Sequence, residues 1–164
     1  MKATDLLKAQ HEEVSRLFKA IESAKNKPEK KKLFMELASN LVAHDGIERE
    51  IFYPACEGKV EEELLKEAYV EHDGAKVLIA EIIGGEPSDE YYDAKVKVLQ
   101  EQIEHHVEEE EKRLEGLFSQ ARAAGLDMDA LGEQLAVRKE ELKAEIEANG
   151  LPMPVLKTME ESSL

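Results

Sequence analysis

Four stretches of this chain, each roughly 20–30 residues long, repeat apolar side chains at spacings of three and four, the pattern of helices with one buried face. The first runs from Thr4 or Asp5, its cap candidates, to about Lys25 and carries Leu7, Val14, Leu17, Phe18 and Ile21. The second opens at the Asn26-Lys27-Pro28 turn, where proline suits the first turn of a helix. It carries Leu33, Leu37, Leu41, Ile47, Ile51 and Phe52 and ends around Pro54–Gly58. The third, about Glu61 to Ile83, carries Leu64, Leu65, Ala68, Val70, Ile79, Ile82 and Ile83. After the break Gly84-Gly85-Glu86-Pro87-Ser88, the fourth begins near Ser88 or Asp89 and reaches about Ala123, with Val96, Leu99, Ile103, Val107, Leu114 and Leu117. No stretch alternates at period two. Long helices joined by short turns predict an all-α, up-down-up-down antiparallel four-helix bundle over residues 1–124. A shorter helix, about Asp129 to Ala148 with Asn149-Gly150 as its C-terminal stop, is expected to pack on the bundle as residues 125–150. An extended tail is expected at 151–164.

Each of the four long helices carries one histidine on its apolar stripe. His11 lies four after Leu7 and three before Val14, and His44 lies three after Leu41 and seven before Ile51. His72 lies four after Ala68 and seven before Ile79, and His106 lies three after Ile103 and seven after Leu99. Glu48 follows His44 by one turn and Glu110 follows His106 by one turn, so each pair shares a helix face. Counted from the expected helix starts with alternate helices reversed, the four imidazoles fall at compatible depths. Left unpaired in an apolar interior, such groups would be costly, and a metal removes that cost. His105 has Glu109 one turn later, but its neighbours Val98, Glu101 and Lys112 make a mostly polar face, which places it toward solvent.

A single zinc takes three or four ligands, whereas this constellation offers six, a surplus that favours two metals bridged by carboxylates. Imidazole and carboxylate donors without thiolate suit iron, manganese, zinc or copper. The Glu-x-x-His motif of ferritin-like di-iron bundles is absent, and here the carboxylates follow the histidines.

Composition narrows the remaining classes. A formal net charge of −15, from 37 acidic against 22 basic side chains, repels phosphate backbones, so nucleic acid is not an expected partner. No apolar run approaches the roughly 18 residues of a membrane span, and the N-terminus leads straight into a patterned helix with no signal peptide visible. The single cysteine, Cys56, fits a reducing cytoplasm. The expectation is a cytoplasmic monomer without a membrane partner.

The pieces Asp5-Leu-Leu-Lys-Ala-Gln-His11, His44-Asp-Gly-Ile-Glu48 followed by Ile-Phe-Tyr-Pro, Glu71-His72-Asp-Gly-Ala-Lys and His105-His106-Val-Glu-Glu-Glu110-Glu, taken in order, resemble the hemerythrin-like (HHE cation-binding) family. The resemblance covers residues 1 to about 120 and continues into the C-terminal helix of bacterial single-domain members. It implies two non-haem iron ions, bridged by carboxylates and an oxo or hydroxo group, with His11, His44, His72 and His106 as terminal ligands and Glu48 and Glu110 as bridges. Two positions depart from the invertebrate oxygen carriers. Lys76 stands where they have a second third-helix histidine, and they place the last carboxylate where this chain has Glu111. The site would be one histidine poorer, leaving an open position or a substitute ligand such as Asp45 or Tyr69, with the Lys76 ammonium carried out of the bundle. Tyr53, Tyr69 and Asp45 are candidates to act around the ligands, although Tyr53 and Tyr69 are expected mainly to pack with their hydroxyls satisfied. The implied function is binding of dioxygen or hydrogen peroxide for sensing, storage or detoxification. Peroxide dismutation or iron oxidation at the same site is the enzymatic alternative, and a partner-binding bundle with a vestigial or zinc site is the third.

Overall fold

The protein was analysed as a computed structural model that describes residues 1–159, so the tail expectation for 160–164 lies outside the described residues. The described chain is all-helical, with α1 Ala3–Glu22, α2 Lys27–Ile47, a π turn Glu48–Phe52, α3 Tyr53–Cys56, α4 Glu62–Ile83, α5 Tyr92–Glu111, α6 Leu117–Ala123 and α7 Met128–Asn149. None of these helices is long and apolar enough to cross a membrane. Four of them close a ring, α1 against α2, α2 against α4, α4 against α5, and α5 against α1, while α7 lies on α1 and α2.

Local chemistry sets most of the ends. The Asn26 side chain accepts the Glu29 N–H at 2.9 Å at the start of α2, and Asp127 does the same for Ala130 at 3.0 Å at the start of α7, each satisfying one orphan donor. Gly150, at φ 79°, ends α7 in the left-handed region that glycine tolerates. The first helix corrects the sequence reading, since its N-cap is Lys2 and Thr4 is buried inside it.

The fourth stretch is also corrected. Instead of running to Ala123, the helix stops at Glu111, and a turn at Lys112–Gly116 redirects the chain into α6. Leu114, expected on the core stripe, has φ 68° and is 78% exposed. Gly116 explains why this turn is so tight: a Cβ there would lie 2.5 Å from the Lys112 carbonyl oxygen and 2.7 Å from that of Glu110.

Two apolar clusters fill the interior. One gathers Leu7, Ile47, Phe52, Leu65, Leu117 and Phe118; the other gathers Leu17, Phe34, Leu37, Ile79, Ile82 and Leu99. Each long helix passes from one cluster to the other, and each has its histidine at the crossing. His11 lies between Leu7 and Val14, His44 between Leu41 and Ile47, His72 between Tyr69 and Ala75, and His106 between Leu99 and the start of α6. In sequence order α1 and α4 cross one way, and α2 and α5 cross back.

Candidate metal centre

The histidine layer contains two groups of ligand atoms, His11/His44/Glu110 and Glu48/His72/His106, and all six side chains are buried. These are the six residues the sequence singles out, and the fold brings all of them together. Within the first group His11 Nε2 lies 3.3 Å from His44 Nε2; within the second, His72 Nε2 lies 3.1 Å from His106 Nε2. The two carboxylates span the groups. Glu48 Oε1 is 2.8 Å from His44 Nε2 and 3.2 Å from His72 Nε2. Glu110 Oε1 is 3.2 Å from His11 Nε2 and 3.3 Å from His106 Nε2.

Close as the carboxylate contacts are, Glu48 Oε1, Glu48 Oε2 and Glu110 Oε1 are buried without a hydrogen-bond partner. Buried carboxylate oxygens are normally satisfied. When the imidazoles are neutral, their lone pairs and those of the carboxylates converge on shared points. A metal cation is a group that satisfies such a set. The donor chemistry, nitrogen and oxygen without sulfur, suits iron, manganese, zinc or copper.

The outward nitrogens explain why the inner ones face in. His11 Nδ1 donates to Glu111 at 2.5 Å, His44 Nδ1 to Gln10 Oε1 at 2.6 Å, His72 Nδ1 to Asp45 at 2.8 Å and His106 Nδ1 to Glu71 at 2.9 Å. Oxygens that can only accept require the proton on Nδ1, which leaves Nε2 with its lone pair toward the centre. These anchors form a closed circuit. The neighbour of His11 holds the α2 histidine, the neighbour of His44 holds the α4 histidine, the neighbour of His72 holds the α5 histidine, and the neighbour of Glu110 holds the α1 histidine. The anchor precedes the histidine on α1 and α4 and follows it on α2. One residue is a rotation of about 100° on a helix, so this alternation keeps the same sense around the ring when neighbouring helices cross in opposite directions.

Electrostatics follow from this packing in the absence of metal. Burial opposes the charged form of His11, yet Glu110 and Glu111 outweigh it and hold the imidazole at about 9. Burial likewise opposes charge on His72 and His106, but Asp45 and Glu48 raise the first and Glu110 raises the second well above the ordinary value. Burial would raise Glu48, but His44 and its other partners pull it well below the usual carboxylate range.

Tyr53 is the residue that the sequence reading undervalued. Its hydroxyl donates to Glu110 Oε2 at 2.7 Å and lies 3.0 Å from His72 Nε2 and 3.1 Å from His106 Nε2. The π turn explains the miss. The Tyr53 N–H bonds to the Glu48 carbonyl, so five residues complete the turn and Tyr53 comes round to the face of Glu48, where a 3.6-residue period would place it elsewhere. Pro54, which has no N–H to give the preceding turn, was the available signal. Tyr69 does pack as expected, edge-on to Tyr53 at 5.3 Å between ring centres. His105 is exposed and pairs with Glu109 at 3.0 Å, outside the centre. Lys76 does not run to solvent. Its side chain is 10% exposed, and the ammonium contacts Asp45 Oδ2 at 2.9 Å. Asp45 is thereby spent on His72 and Lys76 and does not face the six converging side chains. Cys56 is buried, which pushes its thiol up to about 12.

A family model described as Hemerythrin HHE cation binding domain matches residues 2–118. A search of the curated proteins found no match. Among solved structures, a hemerythrin HHE cation-binding domain-containing protein from Mycobacterium kansasii is similar, with a TM-score of 0.76 and 23% sequence identity over 92% of this chain and 95% of that one. At this identity the likeness speaks for the fold.

Proposed function

We propose that this chain, which belongs to the hemerythrin HHE cation-binding domain family, holds two non-haem iron ions and binds dioxygen or hydrogen peroxide at them for sensing, storage or detoxification. The observation that carries this reading is the pair of buried triads joined by Glu48 and Glu110, with both Glu48 oxygens and Glu110 Oε1 lacking a hydrogen-bond partner. His11, His44 and Glu110 would hold one ion and His72, His106 and Glu48 the other, with each carboxylate reaching across. Bound iron supplies Lewis acidity and reversible one-electron chemistry toward small oxygen species.

The chain's own residues do the rest. The Nδ1 anchors fix the imidazoles in orientation, and the two apolar clusters above and below keep the layer dry. A cavity of about 40 Å³ reaches His44, His72 and His106 between α2, α4 and α5. A water needs at least about 10–15 Å³ measured this way, so the space suits a molecule of a few atoms.

A second reading, dismutation of hydrogen peroxide to water and dioxygen, is favoured by the Tyr53 hydroxyl, a protic group inside the layer beside two imidazoles. Dioxygen evolution from peroxide by the iron-loaded protein separates the two. Sustained evolution supports the enzyme, whereas a spectral change on exposure to dioxygen or peroxide without turnover supports binding.

A further inference from the structure

The C-terminal segment runs back over α4 and ends against the outer side of the His72 anchor. Asp73, fully buried in the packed chain, accepts the Lys157 N–H at 3.0 Å and the Thr158 N–H at 2.6 Å, as well as the Thr158 hydroxyl. The Lys157 ammonium sits 4.6 Å from the centre of the Tyr69 ring. Pinned there, the segment delivers one backbone oxygen to two cations: the Val155 carbonyl accepts from Lys76 Nζ at 2.7 Å and from Arg49 at 3.2 Å. Both cations bear on one carboxylate oxygen, Asp45 Oδ2, at 2.9 Å from Lys76 and 3.4 Å from Arg49. The other oxygen, Oδ1, holds His72 Nδ1. The chain of contacts is therefore Asp73 to segment, Val155 carbonyl to Lys76 and Arg49, these to Asp45, and Asp45 to His72. Among the described residues no comparable strap touches the anchors of His11, His44 or His106, which are Glu111, Gln10 and Glu71.

We propose that the segment Leu151–Met159 is a positioning element of the metal centre, fixing the His72 imidazole by holding Lys76 and Arg49 against Asp45. It rests on the reading that the six residues hold two metal ions, and it makes the two positions unequal. The position built from Glu48, His72 and His106 depends on the C-terminal segment, and the one built from His11, His44 and Glu110 does not. Residues that orient a metal-ligating imidazole are worth 10–100-fold in metal affinity. One step further out, about tenfold is expected.

The test uses the full chain with Asp73→Ala, which releases the segment, and Lys76→Met, which removes the ammonium that links Val155 to Asp45. Metal-free protein is titrated with cobalt(II) and followed by its visible absorption. The wild type should take up two equivalents. In both variants the first equivalent should bind as in the wild type and the second about tenfold more weakly. A metal-independent arm follows the imidazole Nδ1–H of His72 by proton NMR; its slow exchange in the wild type should become fast in both variants, while that of His44 stays unchanged. If Asp73→Ala frees the segment, read by amide hydrogen exchange at Lys157 and Thr158, and both cobalt equivalents and the His72 proton behave as in the wild type, the proposal is overturned. Equal weakening of both equivalents also overturns it, because it marks a general loss of structure. A wild type that binds no second cobalt defeats the two-metal reading instead, and the His72 proton still reports on the strap.

Discussion

The Tyr53 hydroxyl donates a 2.7 Å hydrogen bond to Glu110 Oε2, tying the residue after the π turn of the second helical stretch to the carboxylate that spans the two triads. Burial, then the charges of Glu110 and Glu48, push the phenol well above its ordinary value, so it remains a neutral donor across the working pH range. Tyr53→Phe removes the one hydrogen-bond donor that Glu110 Oε2 has among the described residues and leaves that buried oxygen unsatisfied. The metal-free variant should be less stable by about 1–3 kcal/mol, measured by urea unfolding, and the visible spectrum of the iron-loaded protein should change.

His44 and His105 separate inward from outward histidines. His44→Ala removes an inward imidazole from the candidate centre and should lower the metal-to-protein ratio strongly. His105→Ala, at a side chain 64% exposed, should leave the ratio within error of the wild type. Equal losses would mean that the helix faces are wrongly assigned.

The stability of the metal-free protein should fall as pH rises from about 6.5 to 9. His11 is held at about 9 against an ordinary 6.5, and His72 and His106 are also raised. A raised imidazole contributes its stability below the unfolded value and loses it as pH climbs through the folded one. His11 alone accounts for up to about 3 kcal/mol at 1.36 kcal/mol per unit. The depressed carboxylate Glu48 acts in the acid range and does not offset this window. Metal binding needs neutral imidazoles, so the metal-loaded protein should keep its melting temperature over the same interval. Thermal unfolding at pH 6.5 and 9, with and without metal, reads both trends.

Gly116→Ala should destabilise the protein by about 2–4 kcal/mol, in the range of substitutions that force backbone to move, because the added Cβ would meet the carbonyls of Lys112 and Glu110 at 2.5 and 2.7 Å. The same carbonyl-bearing turn follows Glu110 and Glu111, so metal retention should fall together with the melting temperature.

The convergence of the six candidate residues is legible in the sequence because all of them obey the spacing that defines each helix's inward face. Glu110 and Glu111 illustrate how far that logic reaches: i,i+4 from His106 selects Glu110, which faces the other five, while Glu111 turns to the outer nitrogen of His11. The anchors Gln10, Glu71 and Glu111 escaped it, since each sits one step off the stripe and acts on a different helix. Tyr53 escaped because the π turn changes the period where the chemistry is densest. The extended helix drawn through Leu114 failed because Leu114 and Leu117 keep helical spacing on paper, and only Gly116 hinted at the turn. Lys76 was legible as a charged residue one turn from His72, but its partners Asp45 and Val155 belong to distant parts of the chain.

The central claim is that Glu48 and Glu110 each serve two metal positions, and the metal content of protein produced with iron in excess tests it most directly. Two iron ions per chain, falling to one or fewer in Glu48→Ala, is the predicted result. One ion per chain in the wild type, or zinc in place of iron under those conditions, would contradict the account.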